Sequence, residues 1–402
     1  MPSPLGGDNR LVTGDHGPTA WSGLPRLDLP PVTAALAHSH GDALRAVWGH
    51  VNSDDELLIA SAARIDEAER QDLRSSGFSI VDGGHVDPPS VLRAAEPGRL
   101  WLLTSGSTGR PKRVGHTLHS LTTVTGRQPP RRWLLPYSPG TYAWWQLVTL
   151  SLTQPSQDLV CVEPDEIDQW PQLAAREGVT AVSGTPTFWR QALWGSAPAL
   201  RELGLEQVTL GGEPVDQTVL DALRETFPAA RISWIYASSE AGASIAVHDG
   251  RAGFPQEWLG HHTPGRPLLK VDGEELVLES PHHAEGLAGV IRTGDRVDVV
   301  DGRVHIVGRI AGDEINVGGS KISAAAVRDA LQAHPDVAWA SVKGRRAPIV
   351  GTIVTADVVV TREVTEAELV AHCQRRLPDY GIPRRFRFLD EIPFKETLKS
   401  DV

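Results

Sequence analysis

The apolar run Leu100-Trp101-Leu102-Leu103 empties into Thr104-Ser105-Gly106-Ser107-Thr108-Gly109-Arg110-Pro111-Lys112, and this junction constrains the chain more than any other stretch. A short apolar run followed by glycines and hydroxyls reads as a buried strand ending in a flexible, donor-rich loop. Such a loop suits phosphate. Glycines let backbone N–H groups converge on an oxyanion, hydroxyls add donors, and Lys112 adds charge. The order is not that of a Walker A loop, which requires Gly-Lys-Ser/Thr, because Lys112 follows Pro111 and precedes Arg113. An ordinary serine- and glycine-rich turn has the same composition, so the reading depends on what accompanies it.

What accompanies it is an alternation of strands and helices. Glu56-Leu57-Leu58-Ile59-Ala60 reads as a strand, 65–73 as a helix and Phe78-Ser79-Ile80-Val81 as a second strand, a βαβ unit that implies a parallel sheet. Past the loop the rhythm repeats: strands at 133–136, 159–162 and 179–182, helices at 143–152 and 166–177, and a helix from Pro214 that sets Val215, Val219, Leu220, Leu223 and Phe227 on one face. At 402 residues the chain is too long for one ordinary core. The expected fold is a large α/β body of several subdomains with parallel sheets, its ligands at the carboxyl ends of the strands. Residues 1–30, rich in proline and glycine and without a period, are expected to be a loose arm.

Three short clusters follow the loop. Gly211-Gly212-Glu213-Pro214 succeeds the strand Gln207-Val208-Thr209-Leu210, where paired glycines let a flat ring lie against the backbone. The strand Ile232-Ser233-Trp234-Ile235-Tyr236 ends in Ala237-Ser238-Ser239-Glu240-Ala241-Gly242. A carboxylate beside a hydroxyl at a strand end can take magnesium, and Tyr236 offers a ring face to a base. In Arg292-Thr293-Gly294-Asp295 the aspartate can accept both hydroxyls of a ribose. Each cluster alone is equally an ordinary turn or a solvated acid.

Taken together and in this order, the clusters resemble the adenylate-forming superfamily of acyl-CoA synthetases, luciferases and peptide-synthetase adenylation domains. The resemblance covers residues 100 to 402 and carries expectations residue by residue. Thr104, Ser105, Gly106, Ser107, Thr108, Gly109 and Lys112 would hold the β- and γ-phosphates of ATP. Gly211, Gly212 and Glu213, with Tyr236, Ala237 and Ser238, would enclose the adenine, and Asp295 with Arg309 would serve the ribose side. Ser239 and Glu240 would approach the α-phosphate, with Glu240 on Mg2+. The texture changes after Arg309, where Ile310-Ala311-Gly312-Asp313 resembles the superfamily's hinge. That divides the chain into a large ATP- and acid-binding domain, 1–309, and a small mobile α+β lid, 310–402. Gly318 and Gly319 would face a pantetheine tunnel. Near the end, Ile392-Pro393-Phe394-Lys395-Glu396-Thr397-Leu398-Lys399 resembles the segment with the catalytic lysine, which makes Lys399 the assignment and Lys395 its competitor.

The departures matter as much. Only about 100 residues precede the loop, Tyr236-Ala237-Ser238-Ser239-Glu240 stands for the usual Tyr-Gly-x-Thr-Glu, and Leu398 replaces the glycine before the lysine. The implied reaction is activation of an acid by ATP through an acyl-adenylate, with AMP as by-product and CoA as co-substrate. The acid is expected to be small and aromatic or unsaturated, in a pocket walled by Tyr137, Tyr142, Phe188, Trp189 and Gly212. Alternative acceptors are a carrier-protein thiol, an amine, or nitrite activation leading to diazotisation of an aryl amine. A non-catalytic nucleotide-binding protein is the remaining alternative.

Other classes are disfavoured. No Gly-x-Gly-x-x-Gly follows an early strand, which argues against a dinucleotide oxidoreductase. A net charge of −11 without long basic runs argues against nucleic acid or a membrane surface as partner. The adjacent pairs His261-His262 and His282-His283 cannot both face one ion from regular structure, and Cys161 and Cys373 have no metal spacing. Residues 1–10 lack a secretory pattern and the apolar stretch 349–360 is too short to span a bilayer, so a cytoplasmic protein is expected. The particular acid, the acceptor and the oligomeric state are not written in the sequence.

Overall fold

The structure, a computed structural model, describes residues 5–399 apart from 15, 52, 54, 105–110, 264–265, 281–282, 285–288, 311, 348–350 and 394–397. Among these residues the alternating rhythm becomes two sheets. The first has six strands in the order His85–Asp87, Ser79–Asp82, Val32–Ala37, Glu56–Ser61, Arg99–Thr104, Lys112–Thr117. Val32–Ala37 lies between two parallel neighbours and is buried along its whole length, which is why it is nearly all apolar. The helix Glu67–Ser75 completes the expected βαβ unit, its first turn closed by Asp66, which accepts from Glu69 N at 2.8 Å.

The second sheet has eight strands: Gly242–Val247, Arg231–Ser238, Gln207–Gly211, Ala181–Gly184, Arg131–Leu135, Gln157–Cys161, Arg10–Thr13, His16–Ala20. Its last two members correct the expectation of a loose arm over 1–30. Arg10–Thr13 runs parallel to Gln157–Cys161 with Leu11 opposite Leu159, and Leu11 and Trp21 are fully buried. Asn9 fastens the segment. Its Nδ2 donates to Ser151 O (2.5 Å) and Gln154 O (2.7 Å), and its Oδ1 accepts from Gln157 N (3.1 Å). A buried amide with its donors and acceptor engaged holds a strand that proline- and glycine-rich flanks conceal.

Around the second sheet pack the helices Tyr142–Thr153, Trp170–Glu177, Pro186–Arg201 and Gln217–Thr226. The last begins three residues later than Pro214 suggests, because Asp216 caps it by accepting from Val219 N at 3.1 Å. Aromatic residues fill the space between helices and sheet: Trp144 meets Trp145 edge to face at 5.1 Å, and Trp170 stacks on Phe188 at 5.2 Å. A five-stranded antiparallel sheet follows, ordered Phe254–Pro255, Arg303–Arg309, Val290–Val300, Glu275–Glu279, Leu268–Asp272.

Beyond Arg309 the chain builds a second, smaller core. Strands Val337–Ala347, Gly351–Val360 and Arg385–Phe388 pack against the helices Ala324–Gln332 and Glu366–Gln374 through Val327, Leu331, Val354, Val358, Leu369 and Cys373. Ser323 caps the first helix, and Thr365 with Glu368 forms the capping box of the second. The hairpin Glu314–Val317/Ser320–Ser323 turns on Gly318 and Gly319, both at positive φ (60° and 95°), the two-residue turn whose twist matches the strands. Where this part meets the large body, charges interleave. Arg190 holds Asp216 at 2.6 Å and donates to Ala338 O at 3.2 Å, while Arg328 pairs with Asp329 at 2.9 Å and helps to hold the Asp216 pKa low. The molecule is therefore a mixed α/β protein with parallel sheets and a small C-terminal α+β part.

Candidate active site

A cleft of about 2240 Å³ opens between the carboxyl ends of the parallel strands and the antiparallel sheet. Gln207–Gly211 delivers Gly211, Gly212 and Glu213 to it, and Arg231–Ser238 delivers Tyr236, Ala237 and Ser238. The turn after that strand adds Ser239 and Glu240, the antiparallel sheet adds Asp295 and Arg309, and Lys399 enters from the far end of the chain.

Lys399 lies over Gly212. Gly212 has φ +83°, and a Cβ built on it would be 3.4 Å from Lys399 Cε, 3.9 Å from Lys399 Nζ and 3.6 Å from Thr185 Cγ2. The backbone angle therefore asks for glycine, while the space above it is in ordinary contact with Lys399 and Thr185. The residue before the lysine is anchored: Leu398 is buried in the main core and its carbonyl accepts from Thr185 Oγ1. Leu398 does this at φ +60°, in the left-handed region that glycine occupies without cost. Desolvation lowers the Lys399 pKa below the ordinary lysine value, Glu213 opposes this, and Arg309 adds to it.

Asp295 is held from two sides in the cleft. Tyr236 Oη donates to its Oδ2 at 2.5 Å, Arg309 Nε reaches its Oδ1 at 3.0 Å, and its own N–H donates to Thr293 Oγ1 at 3.0 Å. Burial raises the Asp295 pKa, while Tyr236 and Arg309 pull it back. Each carboxylate oxygen keeps a lone pair beyond these contacts, enough to accept a vicinal diol.

The Ser239-Glu240 turn is positioned by a histidine that sequence reasoning passed over. His116, on Lys112–Thr117, is fully buried, donates from Nε2 to Ser239 O at 2.7 Å and meets Ser120 Oγ through Nδ1 at 2.9 Å. It ties the strand after the glycine loop to the turn that carries Glu240. Among the described residues no three His, Cys, Asp or Glu side chains converge as a ready-made metal cage. Glu240 lines the cleft as a carboxylate, and a single carboxylate plus substrate phosphates is a donor set that magnesium accepts.

Several expected site residues fall elsewhere. Ser105, Gly106, Ser107, Thr108 and Gly109 lie outside the described residues, as does Lys395. Thr104 ends its strand at the cleft and Lys112 begins the next, exposed. Glu213 does not simply wall an adenine: its Oε2 accepts from Thr187 N at 3.0 Å, in the first turn of Pro186–Arg201, where a helix favours negative charge. Phe188 and Trp189 belong to the core, Trp189 donating to Thr209 O at 3.1 Å, and they do not line the cleft. Tyr137 and Tyr142 do line it, and Tyr137 Oη lies 3.0 Å from Ser183 Oγ. Gly318 and Gly319 sit at an open hairpin tip away from the cleft lining, with Gly319 N donating to Asn316 Oδ1 at 2.9 Å.

Comparison with known proteins places residues 37–291 in a family described as AMP-binding enzyme and residues 327–399 in the AMP-binding enzyme C-terminal domain. The chain is 27% identical over 397 residues to the 2-succinylbenzoate–CoA ligase of Bacillus velezensis, covering 89% of this chain and 76% of that one. It superposes with a TM-score of 0.75 and 18% identity on an anthranilate CoA ligase solved with anthranoyl-AMP, over 100% of this chain and 93% of that one. An amide bond synthetase from Marinactinospora thermotolerans gives 0.67 and 22% identity, over 99% and 96% of the two chains. At these identities the structural likeness is one of fold.

Proposed function

The chain belongs to the AMP-binding enzyme family, and from that premise we propose that it is an ATP-dependent adenylate-forming ligase that activates a small aromatic or unsaturated acid and transfers the acyl group to CoA. The observation that carries the reading is Lys399 seated on Gly212 in the cleft that also holds Tyr236 and Asp295. Related ligases named for 2-succinylbenzoate and anthranilate make an aromatic acid the natural first candidate.

A carboxylate and ATP are both anions, so their reaction needs charge between them and strict alignment. A carboxylate oxygen bonds to the α-phosphorus as pyrophosphate leaves with the bridging oxygen, giving the acyl-adenylate. The CoA sulfur then bonds to the acyl carbon as AMP departs. Lys399 supplies positive charge between acid and α-phosphate. Asp295 takes the ribose hydroxyls and Tyr236 lies against the base. Gly211 and Gly212 let base and acid approach the backbone, and the 104–112 loop with Lys112 receives the departing pyrophosphate. Glu240 would hold Mg2+, which when bound neutralises phosphate charge. Residues 310–402 act as a lid that brings in Lys399 and later withdraws it, exposing the acyl carbon to the thiol.

The test is pyrophosphate release from ATP with a panel of aromatic, unsaturated and fatty acids, each with and without CoA. Acid-dependent release, with thioester only when CoA is present, is expected; release without any acid dependence would refute acid activation.

One observation favours a second reading of the acceptor. The hold on Leu398 by Thr185 and the main core fastens Lys399 in place, which suits an adenylate that waits for an amine, a carrier-protein thiol or another nucleophile. The same panel separates the two, since adenylate that accumulates with CoA present would point away from CoA.

A further inference from the structure

Inner strands of a parallel sheet covered on both faces are near-continuous apolar runs. Ala181–Gly184, Gln207–Gly211 and Arg231–Ser238 break that rule. Val182, Val208, Leu210, Ile232 and Trp234 are buried on one face, whereas Ser183, Gln207, Thr209, Arg231 and Ser233 alternate onto the other. The register aligns them in rows: Gln207 beside Arg231, then Ser183, Thr209 and Ser233. Their side chains are joined. Gln207 Nε2 donates to Thr209 Oγ1 and to Ser233 Oγ, each at 3.1 Å, and His248 Nδ1 meets Ser233 Oγ at 2.8 Å.

This polar face lines the same cleft as Gly211, Gly212 and Lys399. Behind the reacting end the cleft thus carries a row of polar side chains bonded to one another, beside apolar lining residues such as Trp133, Leu147 and Leu150. From Tyr236 back to Arg231 the wall is roughly 17 Å long at the rise of a strand.

Two arginines stand at the far end of the wall. Arg231 and Arg266 both line it, both are exposed, and neither is ion-paired among the described residues. The neighbouring Asp249 is taken by Arg303 at 2.8 Å, and Arg131 by Glu206 at 2.5 Å. Burial first, then the charges of Arg231 and Arg266, hold the His248 pKa below its ordinary value, with Asp249 opposing them.

Resting on the ligase reading above, we propose that the acid is an extended one, with an aromatic head, a body lying along Gln207, Thr209 and Ser233, and a second anionic group, carboxylate or phosphate, received by Arg231 and Arg266 at the other end of the wall, roughly 17 Å of strand from Tyr236. Arginine suits either anion, and a charge-assisted contact of this kind discriminates strongly against a neutral isostere.

The probes are benzoates carrying a para chain of that length ended by a carboxylate, a phosphate, a carboxamide or a methyl group. Binding to the full chain with AMP is measured by calorimetry, and ATP–pyrophosphate exchange is run on the same preparations. The anionic tails should bind about tenfold tighter than the carboxamide or more, and Arg231→Ala and Arg266→Ala should bring that ratio toward one. Both side chains are exposed, so neither variant threatens the fold. A carboxylate preferred over a phosphate, or the reverse, identifies the natural tail and supports the proposal either way. Equal affinities for all tails, tightest binding of the methyl-ended probe, no binding of any probe, or a ratio untouched by both variants would overturn it. Exchange without tail preference would overturn the extended acid and leave the ligase; tail-dependent binding without exchange would do the opposite.

Discussion

Lys399 packs on Gly212 closely enough that a Cβ there would stand 3.4 Å from its Cε. Gly212→Ala adds that contact to a residue at φ +83°, where a side chain costs on the order of 1 kcal/mol. The variant should lose about that much stability by urea unfolding. Its acid-dependent pyrophosphate release should fall by up to roughly tenfold, with ATP affinity much less affected, because the strained backbone lies under Lys399 and not at the ribose site.

Lys399→Ala should lower adenylation by roughly 10²–10³ in kcat, the usual loss for one preorganised charge at a transition state, while ATP binding measured by calorimetry stays close to wild type. Loss of ATP binding instead would remove Lys399 from the reacting centre. The wild-type rate should fall as pH rises through the Lys399 pKa, and burial sets this alkaline limb below the ordinary lysine value. In Lys399→Arg the residual rate should lack the limb, since guanidinium stays charged.

Asp295→Asn separates stability from function. Burial raises the Asp295 pKa above the unfolded value of 3.8. A carboxyl shifted this way contributes stability below its unfolded pKa that is lost as pH rises through the folded pKa. The asparagine variant should therefore gain stability relative to wild type as pH rises from 3.8 toward neutrality, read from urea midpoints. Its ATP affinity should fall at neutral pH, and an unchanged affinity would exclude Asp295 from the ribose.

Leu398→Gly tests the anchor beside the lysine. Relief of φ +60° at Leu398 returns on the order of 1 kcal/mol, but losing a fully buried leucine costs about 2 kcal/mol or more, so the segment loosens. Adenylation should slow and thioester formation from preformed acyl-adenylate should quicken. Thr185→Val, which removes the donor to Leu398 O, should move both rates the same way.

What could be read beforehand follows how local the signal is. Thr365 and Glu368 announce a helix start within four residues, and the structure caps the helix there. The βαβ unit over 56–81 is likewise a local pattern, and the alternation alone leads to the parallel sheets. Tyr236, Asp295 and Lys399 are far apart in sequence, yet short motifs mark each, and one cleft gathers them. His116 and Thr185 carry no motif: each acts through a backbone carbonyl, of Ser239 and Leu398, 123 and 213 residues away. Phe188 and Trp189 mislead because aromatic content says nothing of direction, and both turn inward. The polar rows at Gln207, Thr209 and Ser233 were visible as alternation in strands that ought to be apolar throughout.

The pairing of Leu11 with Leu159 has a consequence for how the protein is made. Arg10–Thr13 leaves the ribosome well before the strand Gln157–Cys161 that it lies against, and Asn9 waits equally long for Ser151 and Gln154. Through that interval its backbone is an open edge, able to template pairing with another nascent chain. The prolines and glycines around it delay any premature β structure. The Arg10–Thr13 segment is secured only after residues 151–161 have followed it out of the ribosome.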